Sequence, residues 1–287
     1  MRAPKKVAVA ALLAGATAIG LAPIFVRLSE TGSTATAFWR VTLSVPFLWL
    51  WMRVENPGGR FDWAMLWPGV FFAGDLAVWH ASIRWTSVAN ATLLANAAPI
   101  FVALVAWLWL GERLRGTFLM GLVIALAGAV LVMRASFALS HQDFKGDLLA
   151  VATALFYTGY QISVKQLRVK HATGTLMFWS ALVSALVLLT VALALGETMM
   201  PATTRGWSVL LALAVISHVG GQGLIAWALA HGPASASSVS LLWQPVVAAF
   251  MAWLVFGELL SGTHAVGAVV VLAGIYLAWR GSYESGG

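Results

Sequence analysis

Cysteine is missing from this chain of 287 residues. That excludes a disulfide framework, a thiolate metal site and a cysteine nucleophile. Charge is scarce: only 9% of residues are Asp, Glu, Lys or Arg, against roughly 25% in a soluble domain. A chain so poor in charge cannot clothe itself for water. There is no Walker A loop, no His-Glu-x-x-His and no serine beside a base and an acid. ATP drive, zinc hydrolysis and triad chemistry have no residues to rest on, so neither an enzyme nor a cofactor is expected.

What is abundant is apolar. Hydrophobic residues make up 61% of the chain, and the mean hydropathy is +0.88. The net charge of +7 does not indicate nucleic acid, because the basic residues are scattered through short gaps between apolar runs. That is the pattern of membrane loops. A helix needs about 20 apolar residues to cross the hydrocarbon core. Ten runs satisfy or approach this: 7–28, 35–52, 64–83, 86–110, 116–134, 146–167, 174–195, 205–229, 233–256 and 261–280. We number them spans 1 to 10. Span 1 follows Lys5 and Lys6 as a signal peptide would, but it lacks a small-residue cleavage site and is read as retained. The widest gap, 135–145, reads as a linker between residues 1–134 and 146–287.

The stretch from Pro99 to Met133 is written twice. Pro99, Trp107, Gly111-Glu112, Gly121 and Gly128 return as Pro245, Trp253, Gly257-Glu258, Gly267 and Gly274, each 146 residues later (245 − 99 = 146; 274 − 128 = 146). Phe38-Trp39 returns as Phe178-Trp179 at a shorter offset (178 − 38 = 140). The repeat unit is five spans. Five is odd, so a second half must start on the opposite side of the membrane from the first, giving two inverted repeats. With the N-terminus inside, eleven Lys and Arg fall on one side and four on the other. Arg27 and Arg40 lie within spans, which completes the seventeen (11 + 4 + 2 = 17). The bias puts both termini in the cytoplasm of a multi-pass inner-membrane protein.

This duplicated set resembles the EamA family of the drug/metabolite transporter superfamily. The matching residues are Arg40, Pro99, Gly111-Glu112-Arg113, Gly121 and Gly128, then Pro245, Gly257-Glu258, Gly267 and Gly274. Two positions depart from it: Ser180 stands opposite Arg40, and Leu259 opposite Arg113. Fifteen tryptophans give the chain a further resemblance to YddG-type exporters of aromatic amino acids. The resemblance implies secondary transport of a small metabolite, usually export. It also implies a central cavity lined by spans 1, 3, 4, 6, 8 and 9, with spans 5 and 10 peripheral.

Polar groups at membrane depth are costly and usually face protein or a wet cavity. Asp75 is the one acid at the centre of a span, and Trp79 shares its face at i+4. It suits a substrate ammonium, a proton or a structural hydrogen bond. His80 follows on another face, and His218 with Gln222 marks span 8; each histidine can serve a cavity or satisfy a carbonyl. Thr153, Tyr157, Tyr160 and Gln161 form a polar, aromatic stripe on span 6. Asn96 near Pro99, and Trp243-Gln244 before Pro245, sit at mid-depth, where a proline frees a carbonyl and permits a kink. Trp227 is a further deep aromatic. The serines of span 9, Ser235 to Ser240, read as close packing. Arg40 and Arg27 read as gating or structural groups, with carboxylate capture as the alternative for Arg40. Glu112 and Glu258 are expected to cap the next helix N-terminus. Trp49, Trp51, Trp63, Trp67, Trp107, Trp109, Trp207 and Trp279 read as an interfacial belt.

Together these features predict an all-α membrane protein of ten helices in two inverted five-helix repeats around a central cavity. The expected function is a carrier exporting small metabolites, aromatic or apolar amino acids among them, by alternating access. Its partners would be a small-molecule substrate and membrane lipids, without nucleic acid, in a chain able to act as a monomer. A channel and a membrane-embedded lipid enzyme are the alternatives.

Overall fold

A computed structural model describes residues 5–82, 85, 94–133, 144–259 and 261–283. Among them every regular element is helical. Six helices are long and apolar enough to cross a membrane: Lys6–Leu28, Gly116–Met133, Thr173–Ala194, Thr204–Leu229, Ala234–Phe256 and Gly262–Ser282. Ala98–Trp109 is a shorter apolar helix. The other spans are also helical, at Ser33–Thr42 with Val45–Glu55, at Leu66–Ser82 and at Phe144–Leu167. These last helices carry Arg40, Asp75 and the Tyr157 stripe. All but the final two residues of the 135–145 linker lie outside the described residues, as does the 86–93 start of span 4.

Large apolar side chains cover the outside. Leu108, Val123, Leu186, Leu254 and Val269 are all exposed, which suits lipid rather than water as the surrounding solvent. Trp49, Trp63, Trp67, Trp107, Trp109 and Trp207 are exposed as a belt would be. Trp279 is not. It is 6% exposed, and its indole N–H donates to Ser240 Oγ at 2.7 Å. A buried indole needs an acceptor, and the small residues of span 9 leave space for it.

Proline divides the spans that turn inward. Span 1 breaks at Leu21, between Lys5–Gly20 and Ala22–Leu28, with Pro23 in the first turn of the second piece. Span 2 breaks at 43–44, ahead of Pro46. Span 9 breaks at 241–242, between Ala234–Ser240 and Trp243–Phe256, ahead of Pro245. Pro99 stands in the first turn of Ala98–Trp109. In each case the ring has no N–H to give the preceding turn, so a helix begins there rather than continuing. Span 8 deforms differently. Leu213–Gln222 is wound as a π-helix between two α-helical pieces, a form concentrated at functional sites.

The duplicated glycines meet one another. A Cβ added to Gly128 would stand 2.9 Å from the Gly267 carbonyl oxygen, and one added to Gly267 would stand 2.9 Å from that of Gly128. A Cβ on Gly121 would stand 2.7 Å from the Gly274 oxygen. Numbers rise along span 5 as they fall along span 10, so the two helices run antiparallel, backbone against backbone. Elsewhere span 3 packs on span 6 and span 1 on span 8; span 4 packs on span 6 and span 1 on span 9.

The two Gly-Glu turns share one geometry. Gly111 and Gly257 have φ of +67° and +69°, the left-handed stop that glycine adopts without penalty. The following amides close the turn the same way: Glu112 N–H donates to Ala106 O at 3.0 Å and Glu258 N–H to Ala252 O at 3.5 Å. The carboxylates then go elsewhere than expected. Glu112 accepts from Ala234 N at 2.6 Å, Ser235 N at 3.1 Å and Ser235 Oγ at 2.5 Å. It caps span 9, not span 5. Glu258, at the far end of span 9, pairs with Arg27 instead of capping span 10. The two turns therefore lie at opposite ends of span 9.

Candidate functional site

The broken spans converge on one cavity of about 200 Å³ of water-accessible space, where a single water needs about 10–15 Å³. Span 1 lines it on both sides of its break, with Ile19, Gly20, Ala22, Pro23 and Val26. Span 2 gives Thr36, Ala37 and Arg40; span 3 gives Phe72, Asp75, Leu76 and Trp79. Ala95 and Asn96 come from span 4, Thr153 and Tyr157 from span 6, and Leu213 and Gln222 from the π-helical part of span 8. Span 9 adds Gln244, Pro245 and Ala248 beside its break. The kinks matter because a straight small-residue helix would close on its neighbour. Both halves of the chain contribute walls. Spans 5, 7 and 10 supply none of these residues, and span 2 joins the lining that the resemblance implied.

The lining is apolar with a few polar groups set into it, the composition of a ligand site. Tyr157, Gln222 and Gln244 line the cavity together. The Nε2 of Gln244 and the Oε1 of Gln222 have no partner, so both amides hold capacity in reserve.

Six of the residues singled out from the sequence as substrate-binding face this cavity: Asp75, Trp79, Asn96, Tyr157, Gln222 and Gln244. Four do not line it or cannot be placed. Gln161 is 1% exposed, with both side-chain ends unpaired. It lines a neighbouring hollow of about 20 Å³ with Asn96, Pro99, Tyr157 and Ser238, room for about one water. His218 is buried behind Phe72, ring centres 5.2 Å apart. Trp243 donates from its indole to Thr17 Oγ1 on span 1 at 3.1 Å. The side chain of His80 lies outside the described residues. Trp227 stacks on His231 at 4.2 Å, away from the cavity. The serines of span 9 are buried. Arg40 lines the cavity, where a gating or structural place was expected. Phe72, Pro23 and Thr36 were not picked from the sequence; Pro23 carried the same signal as Pro99 and Pro245.

At the ends of the bundle, acids close helix starts, Glu30 that of span 8 and Asp62 that of span 3 directly after it. Glu30, after span 1, accepts from Thr203 N at 2.9 Å and Thr203 Oγ1 at 2.5 Å, and Thr203 Oγ1 accepts in turn from Gly206 N at 3.0 Å. The Thr203 hydroxyl, then its N–H, holds the Glu30 carboxyl below its ordinary value. Asp62 accepts from Ala64 N at 2.9 Å and meets His171 Nε2 at 2.9 Å. Those two bonds, the amide first, lower Asp62 likewise. Each carboxylate answers the unpaired N–H groups and positive end of a helix dipole.

A model of the EamA-like transporter family matches this chain over residues 6–134 and again over 144–280. A pseudopaline exporter of Pseudomonas aeruginosa, CntI, is 29% identical over 73% of this chain and 72% of its own length. A probable amino-acid metabolite efflux pump of Escherichia coli is 27% identical over 68% of this chain and 70% of its own. An uncharacterized transporter of Archaeoglobus fulgidus is 26% identical over 94% and 96%. A protein of known crystal structure superposes with a TM-score of 0.80 over 97% of both chains at 19% identity, a likeness of fold.

Proposed function

The chain belongs to the EamA-like transporter family, and on that premise we propose that it exports small amino acid-like metabolites, aromatic or apolar ones included, by alternating access across the inner membrane. It is a multi-pass membrane transporter and not an enzyme. The observation that carries the substrate reading is the cavity: apolar walls from both halves around Asp75, Tyr157, Gln222 and Gln244. Asp75 takes an ammonium, the two amides take polar groups, and Trp79 or Tyr157 takes an apolar or aromatic side chain. The name of the Escherichia coli relative, an amino-acid metabolite efflux pump, agrees with that chemistry.

Alternating access needs two bodies that move against each other, and several features favour two inverted five-helix halves, residues 1–134 and 146–287. Equivalent spans 5 and 10 run antiparallel, and their equivalent glycines meet. The two Gly-Glu turns lie at opposite ends of one helix. Contacts come in exchanged pairs, span 3 on span 6 and span 1 on span 8. The family model also matches twice. The halves rock about the cavity and expose it to each face in turn. The balance of basic residues supports cytoplasmic termini.

The test is uptake and counterflow of the twenty L-amino acids in proteoliposomes holding the purified protein. Saturable flux with counterflow is expected for at least one aromatic or apolar member. Flux that rises linearly with concentration would indicate a channel, and no flux of any amino acid would overturn the substrate class.

A further inference from the structure

Arg40 sits near the end of Ser33–Thr42, in the inward-facing part of span 2, and is 6% exposed. It lines the same cavity as Asp75. Its Nε and Nη2 have no hydrogen-bond partner, and among the described residues it makes no ion pair. A basic side chain used for structure looks different in this protein: Lys165 donates to the Gly232 carbonyl and Arg168 to that of His171. The guanidinium carbon of Arg40 lies 5.5 Å from the centre of the Phe72 ring, which supports one side of the cation. A charge buried at membrane depth and left without a counterion is costly, and such residues mark ligand paths.

Asp75 and Arg40 line one cavity, yet the two form no salt bridge. Were they joined in a salt bridge, both charges would be cancelled and the cavity would suit neutral solutes. Held apart along one wall, they present a positive and a negative pole to whatever fills the space between.

We infer that Arg40 is the carboxylate-recognising residue of this cavity, and that Arg40 and Asp75 together select zwitterions. The inference rests on the transporter reading above and adds to it a strict requirement for an anionic end. The substrate carboxylate accepts from the guanidinium, whose planar fork matches two oxygens, while its ammonium donates to Asp75. The ammonium and the carboxylate of an α-amino acid are both carried by its α-carbon, so a single small molecule offers one charge to each pole. Its side chain then lies toward Trp79 and Tyr157. A solute lacking the carboxylate leaves the buried guanidinium unpaired. A site built on a polar contact rejects such analogues far more strongly than an apolar pocket rejects a missing methylene.

The experiment uses the full chain in proteoliposomes. The best-transported amino acid of the twenty is competed by its own carboxamide and by its decarboxylated amine. Both are expected to compete about a hundredfold more weakly than the parent. Arg40→Gln, checked for folding by thermal unfolding and gel filtration, is expected to lose saturable uptake and to bind acid and amide alike in ligand-induced thermal shifts. Arg40→Lys keeps the charge without the fork and recovers part of the preference. Competition by amide and amine within about threefold of the parent would overturn the carboxylate role and leave the transporter reading intact, as would a folded Arg40→Gln that still prefers the acid. Absence of saturable uptake for all twenty overturns the amino-acid reading, and this inference falls with it. If Arg40→Gln does not fold, the competition series on the unmodified protein decides.

Discussion

Glu55 closes the start of the helix that ends just before Glu197, and Glu197 closes the start of the span that ends at Glu55. Glu55 accepts from Thr173 N at 3.1 Å and Gly174 N at 2.6 Å; Glu197 accepts from Ala35 N at 2.9 Å. Spans 2 and 7 are counterparts in the two proposed halves. Each end of the pair is latched by an acid from the other span, one latch at each end of the two helices. A latch at one end resists separation there and leaves the other end alone.

Releasing one latch is therefore expected to bias the protein toward opening at that end. Glu55→Ala and Glu197→Ala should each lower unfolding stability by about 1 kcal/mol, the usual value of a lost cap. They should shift cavity accessibility in opposite directions. Because the chain has no cysteine, Ala37→Cys in the cavity wall is a clean reporter. Maleimide labelling from the two faces of the membrane should rise from one face in the first variant and from the other face in the second.

Gly274→Ala is expected to destabilise by about 1–3 kcal/mol, since the new methyl meets the backbone of Ala125 and no side chain can step aside. Gly262→Ala, where nothing lies within 4 Å, should be neutral. Thermal unfolding in detergent compares the two directly.

Asp75→Asn removes the negative pole of the cavity while keeping its shape. Uptake of a zwitterion should fall about tenfold or more, with the unfolding temperature held. Trp243→Phe gives up the bond to Thr17 and part of the ring, and should leave uptake within about threefold, since Trp243 does not line the cavity. A fall equal to that of Asp75→Asn would return Trp243 to the site.

Two latches respond to acid. The folded values of Glu30 and Asp62 lie below their ordinary values of 4.5 and 3.8. A lowered carboxyl stabilises fully above its ordinary value and loses that contribution as pH falls through the lowered one. Protection of the Thr203 and Ala64 amides, taken relative to intrinsic exchange at each pH, should be constant from neutral pH to about pH 5 and fall below it. Glu30→Gln should flatten the response at Thr203 and leave that at Ala64.

Much of the helical layout was legible. Ten runs carried helix because apolar length is written in composition, and Gly111 and Gly257 announced their turns because few other residues stop a helix in that conformation. The twin glycines marked the repeat, though not that they meet each other. What escaped was rotation and partnership. Span 6 shows the difficulty: its stripe placed Thr153 and Tyr157 correctly on one face, but Tyr160 and Gln161, one turn on, face Phe72 and the smaller hollow. Periodicity gives a face, not its neighbour. Glu112 lies 122 residues from the helix it caps, a partnership set by tertiary packing alone. For Arg40 the sequence left gating, structure and carboxylate capture open, because depth along a helix is visible in a sequence and the facing of a side chain is not. The break of span 2 ahead of Pro46 had its signal available.

The seam between spans 5 and 10 stands apart from the cavity, and no residue of it was found among the lining. Its backbones touch where side chains would ordinarily cushion them, so there is little slack between these two helices. Cargo recognition and helix pairing thus draw on different residues. Substitutions in the pocket leave this seam as it is, and a change in the seam leaves the pocket's chemistry in place.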